Sequence, residues 1–118
     1  MSKLFAWVEI PAEDIERAVE FYNSILNLSM KVLDFGKEQV ACFPNDEGAI
    51  SLAEGFTPSK DGVLVSFNTG DNLDAVINRI AKNGGEILIG KTKIEAEGRG
   101  YFATFIDSEG NRVGLYGK

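Results

Sequence analysis

Residues 43–52 read Phe43-Pro44-Asn45-Asp46-Glu47-Gly48-Ala49-Ile50-Ser51-Leu52, and near the end of the chain stands Phe105-Ile106-Asp107-Ser108-Glu109-Gly110-Asn111-Arg112-Val113-Gly114-Leu115. With one extra residue after the glycine in the second stretch, the two align as strand, acidic turn closed by Glu-Gly, and strand. Asp and Asn side chains bond the neighbouring backbone and Gly takes a left-handed conformation, so each turn has a local chemical reason to form. Unrelated hairpins also use such turns. The elements upstream therefore decide whether the match is a repeat.

Before the first hairpin, Leu4 to Ile10 alternates and meets Pro11, which predicts a strand with Phe5, Trp7 and Glu9 on one face and Ala6, Val8 and Ile10 on the other. Asp14 is placed to cap a helix whose Ile15, Ala18, Val19, Tyr22, Ile25 and Leu26 make one apolar stripe. Short strands are expected over 30–35, 38–43 and 49–53. Residues 55–62, with Pro58, Ser59 and Asp61, read as the loop at the midpoint. The pattern then starts again: a strand over 63–68, a helix capped by Asp71 with Leu73, Val76, Ile77, Ile80 and Ala81 on one face and Gly84-Gly85 as its stop, then strands over 86–89, 101–106 and 112–116. Both halves have the order β-α-β-β-β. The fold class is α+β, with a first module over about 1–56 and a second over about 60–118 of a single domain spanning 1–118.

Composition bounds the function. The chain has 118 residues, 12 Lys and Arg against 18 Asp and Glu, one Cys and no His, for a formal net charge of −6. A chain of this length buries roughly two-thirds of its unfolded surface, enough for one real core. Without His, Ser-His-Asp and Cys-His catalysis, His-ligated metals and imidazole bases are all excluded. The basic residues are scattered singly in an acidic chain, which argues against nucleic acid and anionic membranes as partners. Glu9 interrupts the apolar start too early for a signal sequence, no run approaches the ~18 apolar residues of a membrane span, and the lone Cys42 suits a reducing compartment, so the expected location is cytoplasmic. Cys42, beside Val40 and Phe43 in an apolar strand, reads as a structural thiol.

Two motif matches fail on context. Gly85-Glu86-Ile87-Leu88-Ile89-Gly90-Lys91-Thr92 has P-loop spacing, but it follows a helix and has a strand-like interior, whereas a P-loop follows a strand and opens a helix. Asn27-Leu28-Ser29 is a glycosylation sequon without meaning in a cytoplasmic chain.

Trp7-Val8-Glu9-Ile10-Pro11, Asp14-Ile15-Glu16-Arg17-Ala18 with Phe21-Tyr22, Lys82-Asn83-Gly84-Gly85, Gly100-Tyr101-Phe102-Ala103 and the 107–116 segment together resemble the vicinal oxygen chelate superfamily, which includes glyoxalase I, bleomycin-resistance proteins, fosfomycin-resistance enzymes and extradiol dioxygenases. The resemblance implies two βαβββ modules curling their sheets around a shared cavity, often with a second subunit completing it. It also implies where the metal-dependent members carry their ligands. The first, seven residues before the helix-capping Asp, falls on Trp7; the second falls on Ser51, the third on Val63 after Gly62, and the fourth on Gly114. Indole, isopropyl and hydrogen offer no donor and a lone hydroxyl is a poor one, so no metal and no other cofactor is expected.

What remains is an aromatic-lined cavity whose candidate ligand-binding residues are Phe5, Trp7, Glu9, Ser51, Val63, Tyr101, Arg112, Gly114 and Tyr116. Trp7 either floors a ligand site or fills the space of a lost metal site. Glu9 is the candidate base, or a cation-binding group, or the ion-pair partner of Arg112. Two functions follow: a metal-free binding module that captures a small molecule as a homodimer, and a metal-independent lyase or isomerase with Glu9 as general base and Ser51, Tyr101 or Tyr116 as donors to an oxyanion.

Overall fold

A computed structural model describes residues 3–118; Met1 and Ser2, at the start of the expected first module, lie outside the described residues. The elements follow the order β1 (Val8–Pro11), α1 (Ile15–Leu26), β2 (Leu33–Asp34), β3 (Glu38–Cys42), β4 (Gly48–Ala53), β5 (Ser66–Gly70), α2 (Leu73–Lys82), β6 (Glu86–Lys93), β7 (Tyr101–Ile106) and β8 (Arg112–Gly117). They form two four-stranded sheets, ordered β1-β4-β3-β2 and β5-β8-β7-β6. In each, the first strand runs parallel to the last and the remaining pairs are antiparallel. This is the repeated βαβββ plan, and the class is α+β.

Several boundaries differ from the sequence pattern, set by where neighbouring strands and side-chain partners stand. Residues before Val8 do not join β1, because β4 begins at Gly48, opposite Val8, and Asn45 and Asp46 just before it are in left-handed turn conformation. Pro11 is tolerated within β1 because that strand is an edge. The 30–35 strand shrinks to Leu33–Asp34, since both backbone groups of Met30 are held by the Asn23 side chain of α1. β5 begins at Ser66, opposite Gly114, so Val63 stays outside the sheet. Asn72, not Asp71, precedes α2, and it makes no side-chain cap bond. β6 runs on to Lys93 with two register shifts. Among the described residues no helix is long and apolar enough to cross a membrane.

One apolar core joins the halves. Ile10, Ala41 and Ile50 from the first sheet, Ala103, Phe105, Val113 and Leu115 from the second, and the stripes of both helices belong to a single buried cluster. α1 serves both sheets: its stripe faces β3 and β4, while Phe21 packs on Phe105 of β7 with ring centroids 6.2 Å apart. Gly85 lets it approach, since a Cβ there would lie 2.7 Å from Ile80 and 3.0 Å from the Phe21 ring. Tyr22 and Phe43 both contact Phe67 of β5. The helix-covered faces of the two sheets therefore look toward each other, with the helices between them. The alternate residues of each strand make the sheets' other faces.

The turn at 107–111 locks this arrangement. Glu109 Oε1 accepts the backbone N–H of Glu13 (2.9 Å) and of Asp14 (2.8 Å), Oε2 accepts Arg17 Nε (2.7 Å), and Ser108 Oγ donates to Oε2 (2.9 Å). A carboxylate from the second module thus caps the first module's helix, where free N–H groups and the helix dipole favour an anion. Asp107 Oδ2 accepts the Tyr22 hydroxyl at 2.6 Å, and Asn111 Nδ2 donates to Pro11 O at 2.8 Å. Beyond the local turn chemistry expected of it, the acidic turn is the polar weld between modules.

Candidate functional site

The sheet face turned away from α1 is built by strand alternation. Side chains of Glu9, Ala49 and Cys42 form one row across β1, β4 and β3, and Pro11, Ser51, Val40 and Leu33 form the next. Ser51 is fully buried and its hydroxyl donates to Glu9 Oε2 at 2.6 Å, which fixes an exposed carboxylate over an otherwise apolar strand surface. Leu33 (49 % exposed) and Phe35 (66 %) extend that surface toward the edge, and Trp7 (45 %) and Phe5 (77 %) precede β1. The corresponding face of the second sheet carries Ser66, Gly114 and Thr104 in one row, and Asn68, Tyr116 and Phe102 in the next.

The expected residues are only partly brought together. Glu9 and Ser51 meet. Gly114 and Tyr116 share the outer face of the other sheet, where the Tyr116 hydroxyl accepts the Gly100 N–H at 3.2 Å. Arg112 is taken up by the loop between the modules, its Nε donating to Lys60 O at 3.1 Å, and it does not pair with Glu9. Tyr101 stands opposite Gly117, whose missing Cβ would meet Leu73 of α2, so its ring is on the helix side beneath Lys91 and Lys93. The signal was present in the sequence, since Tyr101 has the parity of the buried Ala103 and Phe105. Val63 is 91 % exposed in a loop, and Trp7 lies outside β1, four residues before Pro11, the register partner of Ser51. Sequence reasoning missed Leu33, Phe35 and Ser66, whose faces depend on register rather than composition.

The four positions where a metal's ligands would be expected do not make a donor set. Trp7 and Val63 are apolar, and Ser51 spends its proton on Glu9. A Cβ at Gly114 would lie 2.3 Å from Ser66 Oγ, so the fourth position has no room for a side chain as β5 is packed. Among the described residues no three His, Cys, Asp or Glu side chains converge. Nor are the residues of the lyase constellation together: Ser51 is Glu9's own donor, Tyr101 is on the helix side, and Tyr116 belongs to the other sheet.

The glyoxalase/bleomycin resistance protein/dioxygenase superfamily model matches residues 4–115. The chain belongs to that superfamily. A glyoxylase-like domain-containing protein of Didymella fabae is 33% identical over 90 residues, which is 69% of this chain and 68% of the relative. A glyoxalase/bleomycin resistance protein from Albidiferax ferrireducens T118 superposes with a TM-score of 0.73 at 18% identity, over 98% of this chain and 99% of that one. The fosfomycin resistance protein FosX from Mesorhizobium loti gives 0.68 at 15% identity, over 100% and 93%. These solved structures share the fold. As a superfamily member this chain keeps the two-module frame while carrying Trp7, Ser51, Val63 and Gly114 at the positions discussed.

Proposed function

We propose that the protein binds a small organic molecule against the outer face of the β1–β4 sheet, without a resident metal, in a cavity that a second copy of the chain closes. The observation that carries this reading is the Glu9–Ser51 hydrogen bond, which holds a carboxylate at a fixed place in an apolar, partly aromatic surface. Such a surface complements a planar ligand with a cationic or hydrogen-bond-donating group, and the net charge of −6 draws cations toward it. The exposed Leu33, Phe35, Leu64 and Ile89, together with unpaired sheet edges, favour a homodimer as the closing element. Capture rather than turnover fits a carboxylate with no second reactive group beside it, and a reducing, cytoplasmic setting fits the single thiol.

Trp7, the only Trp, reports on the site. Titrating a panel of planar organic cations should give a saturable change in emission. Trp7→Leu should then weaken the best binder by about 1–3 kcal/mol, and Glu9→Gln should weaken cations while leaving neutral analogues unchanged. An affinity unmoved by both variants would assign the binding elsewhere, and a monomer of 12.9 kDa in sedimentation equilibrium would rule out the two-copy cavity.

A further inference from the structure

A second concavity lies on the opposite side of these strands. Between the free edges of β1 and β5, under the last turn of α1 and along one face of α2, the two sheets leave a cleft of about 740 Å³. Its volume is that of small-molecule sites, which run to roughly 300–1,000 Å³. The apolar part is made by Val8 and Ile10 of β1, Phe43, Phe67 of β5 and Val76 of α2. The polar part contains one cation, Arg79 of α2, with Asn27, Asn68 and Asn72 around the opening.

Arg79 is half-buried, and one of its five N–H groups donates to Ile25 O at 3.3 Å, at the carbonyl end of α1. The ion pairs among the described residues are Arg17 with Glu109 and Lys91 with Asp74, so Arg79 has no carboxylate partner even though acidic side chains outnumber basic ones. A guanidinium with free donors beside an apolar wall is matched by a carboxylate, which takes two parallel N–H bonds. Glu47 also lines the cleft without reaching Arg79, and its charge disfavours ligands with a second negative group. We propose that this cleft is a second binding site, for a small amphipathic monocarboxylate whose charge meets Arg79 and whose aryl or alkyl body lies against Phe43 and Phe67. It is separate from the Glu9 face, which looks outward and prefers the opposite charge.

The test is an amide NMR titration of the ¹⁵N-labelled protein with 3-phenylpropionate. Saturable shifts should appear at Asn27, Asn45, Asn68, Asn72 and the turn of α2 around Arg79, with a Kd of about 0.1–1 mM, the range open to a ligand of this size. The neutral 3-phenylpropionamide should leave these resonances unmoved. Arg79→Met should weaken binding at least about tenfold, Arg79→Lys, which keeps the charge but not the two-pronged fork, should fall between that variant and the unaltered protein, and Lys82→Met, on the exposed side of the same helix, should change nothing. If Arg79→Met fails to fold for loss of its bond to Ile25, the carboxylate and the amide compared on the unaltered protein decide alone. Equal binding of the amide, shifts confined to Glu9, Ser51 and Gly114, or no saturation up to the solubility limit would overturn the proposal.

Discussion

Replacing Glu109 by Ala tests whether the turn at 107–111 welds the modules. The Glu109 side chain is 1% exposed, and its oxygens serve two backbone N–H groups at the start of α1, Arg17 and Ser108. Arg17 is half-exposed and regains water when the carboxylate goes, so its share of the loss is small. The Glu13 and Asp14 amides lose a charged acceptor in a part-buried place, which by analogy with cap removal and charged hydrogen bonds costs about 2–4 kcal/mol. Urea unfolding should show that loss as a lower midpoint with unchanged slope, because the surface exposed on unfolding is the same. Acid titration supplies a second signature. Burial pushes the Glu109 carboxyl up, but hydrogen bonds from Arg17, Asp14, Ser108 and Glu13 outweigh it and hold the group below its ordinary 4.5. A depressed carboxylate contributes stability that is present above the unfolded-state value and is lost as pH falls through the folded-state value. The unaltered protein should therefore lose stability below pH 4.5 more steeply than Glu109→Gln does. A midpoint unchanged in Glu109→Ala, or parallel acid profiles for the unaltered protein and Glu109→Gln, would refute the weld.

Tyr22→Phe removes the buried hydroxyl bonded to Asp107 and should cost about 1–2 kcal/mol in the same urea assay. Burial first, then the Asp107 charge, raises the Tyr22 phenol well above 10.0, so stability is full below that pH and falls above it, and tyrosinate absorbance from Tyr22 should appear only as the protein unfolds. Gly114→Ala forces Ser66 aside and should cost about 1 kcal/mol, a penalty smaller in a Ser66→Gly background, which a double-mutant cycle reads as coupling. Elemental analysis after dialysis against Zn²⁺ or Ni²⁺ should find no stoichiometric metal; one tightly held equivalent per chain would show that the donor argument at Trp7, Ser51, Val63 and Gly114 is wrong.

The repeated order of elements was legible because each helix stripe and each acidic hairpin is local, written within about ten neighbouring residues. β7 was read to the residue for the same reason. What stayed hidden depends on partners far along the chain. The start of β1 is set by where β4 begins, not by the alternation of Leu4 to Trp7. Phe21 fell outside the α1 stripe because its partners, Phe105 and Gly85, stand in the other half. Glu109 looked like a turn residue because the amides it serves precede it by 96 and 95 positions. At the candidate site, alternation placed Glu9 on one face and the family resemblance pointed to Ser51, but their mutual hydrogen bond follows from register. Arg79 carried no signal at all, since a single Arg in an amphipathic helix reads as solvated surface.

The capping of α1 by Glu109 has a consequence for how the protein is made. The helix is synthesised before the second module, but the Glu13 and Asp14 amides that lead into it receive their acceptor only after 96 and 95 more residues, and Asn111 reaches back 100 positions to Pro11. Closing a loop of that length carries its entropy cost before any of these bonds forms, and such long sequence separations slow the folding of the chains that rely on them. The first module therefore emerges with α1 capped only by its own Asp14, and with Phe21 and Tyr22 short of the partners that residues 105–107 bring. The polar partners of the first module's helix entry are thus supplied by the second module, and folding of the first half is coupled to that of the second.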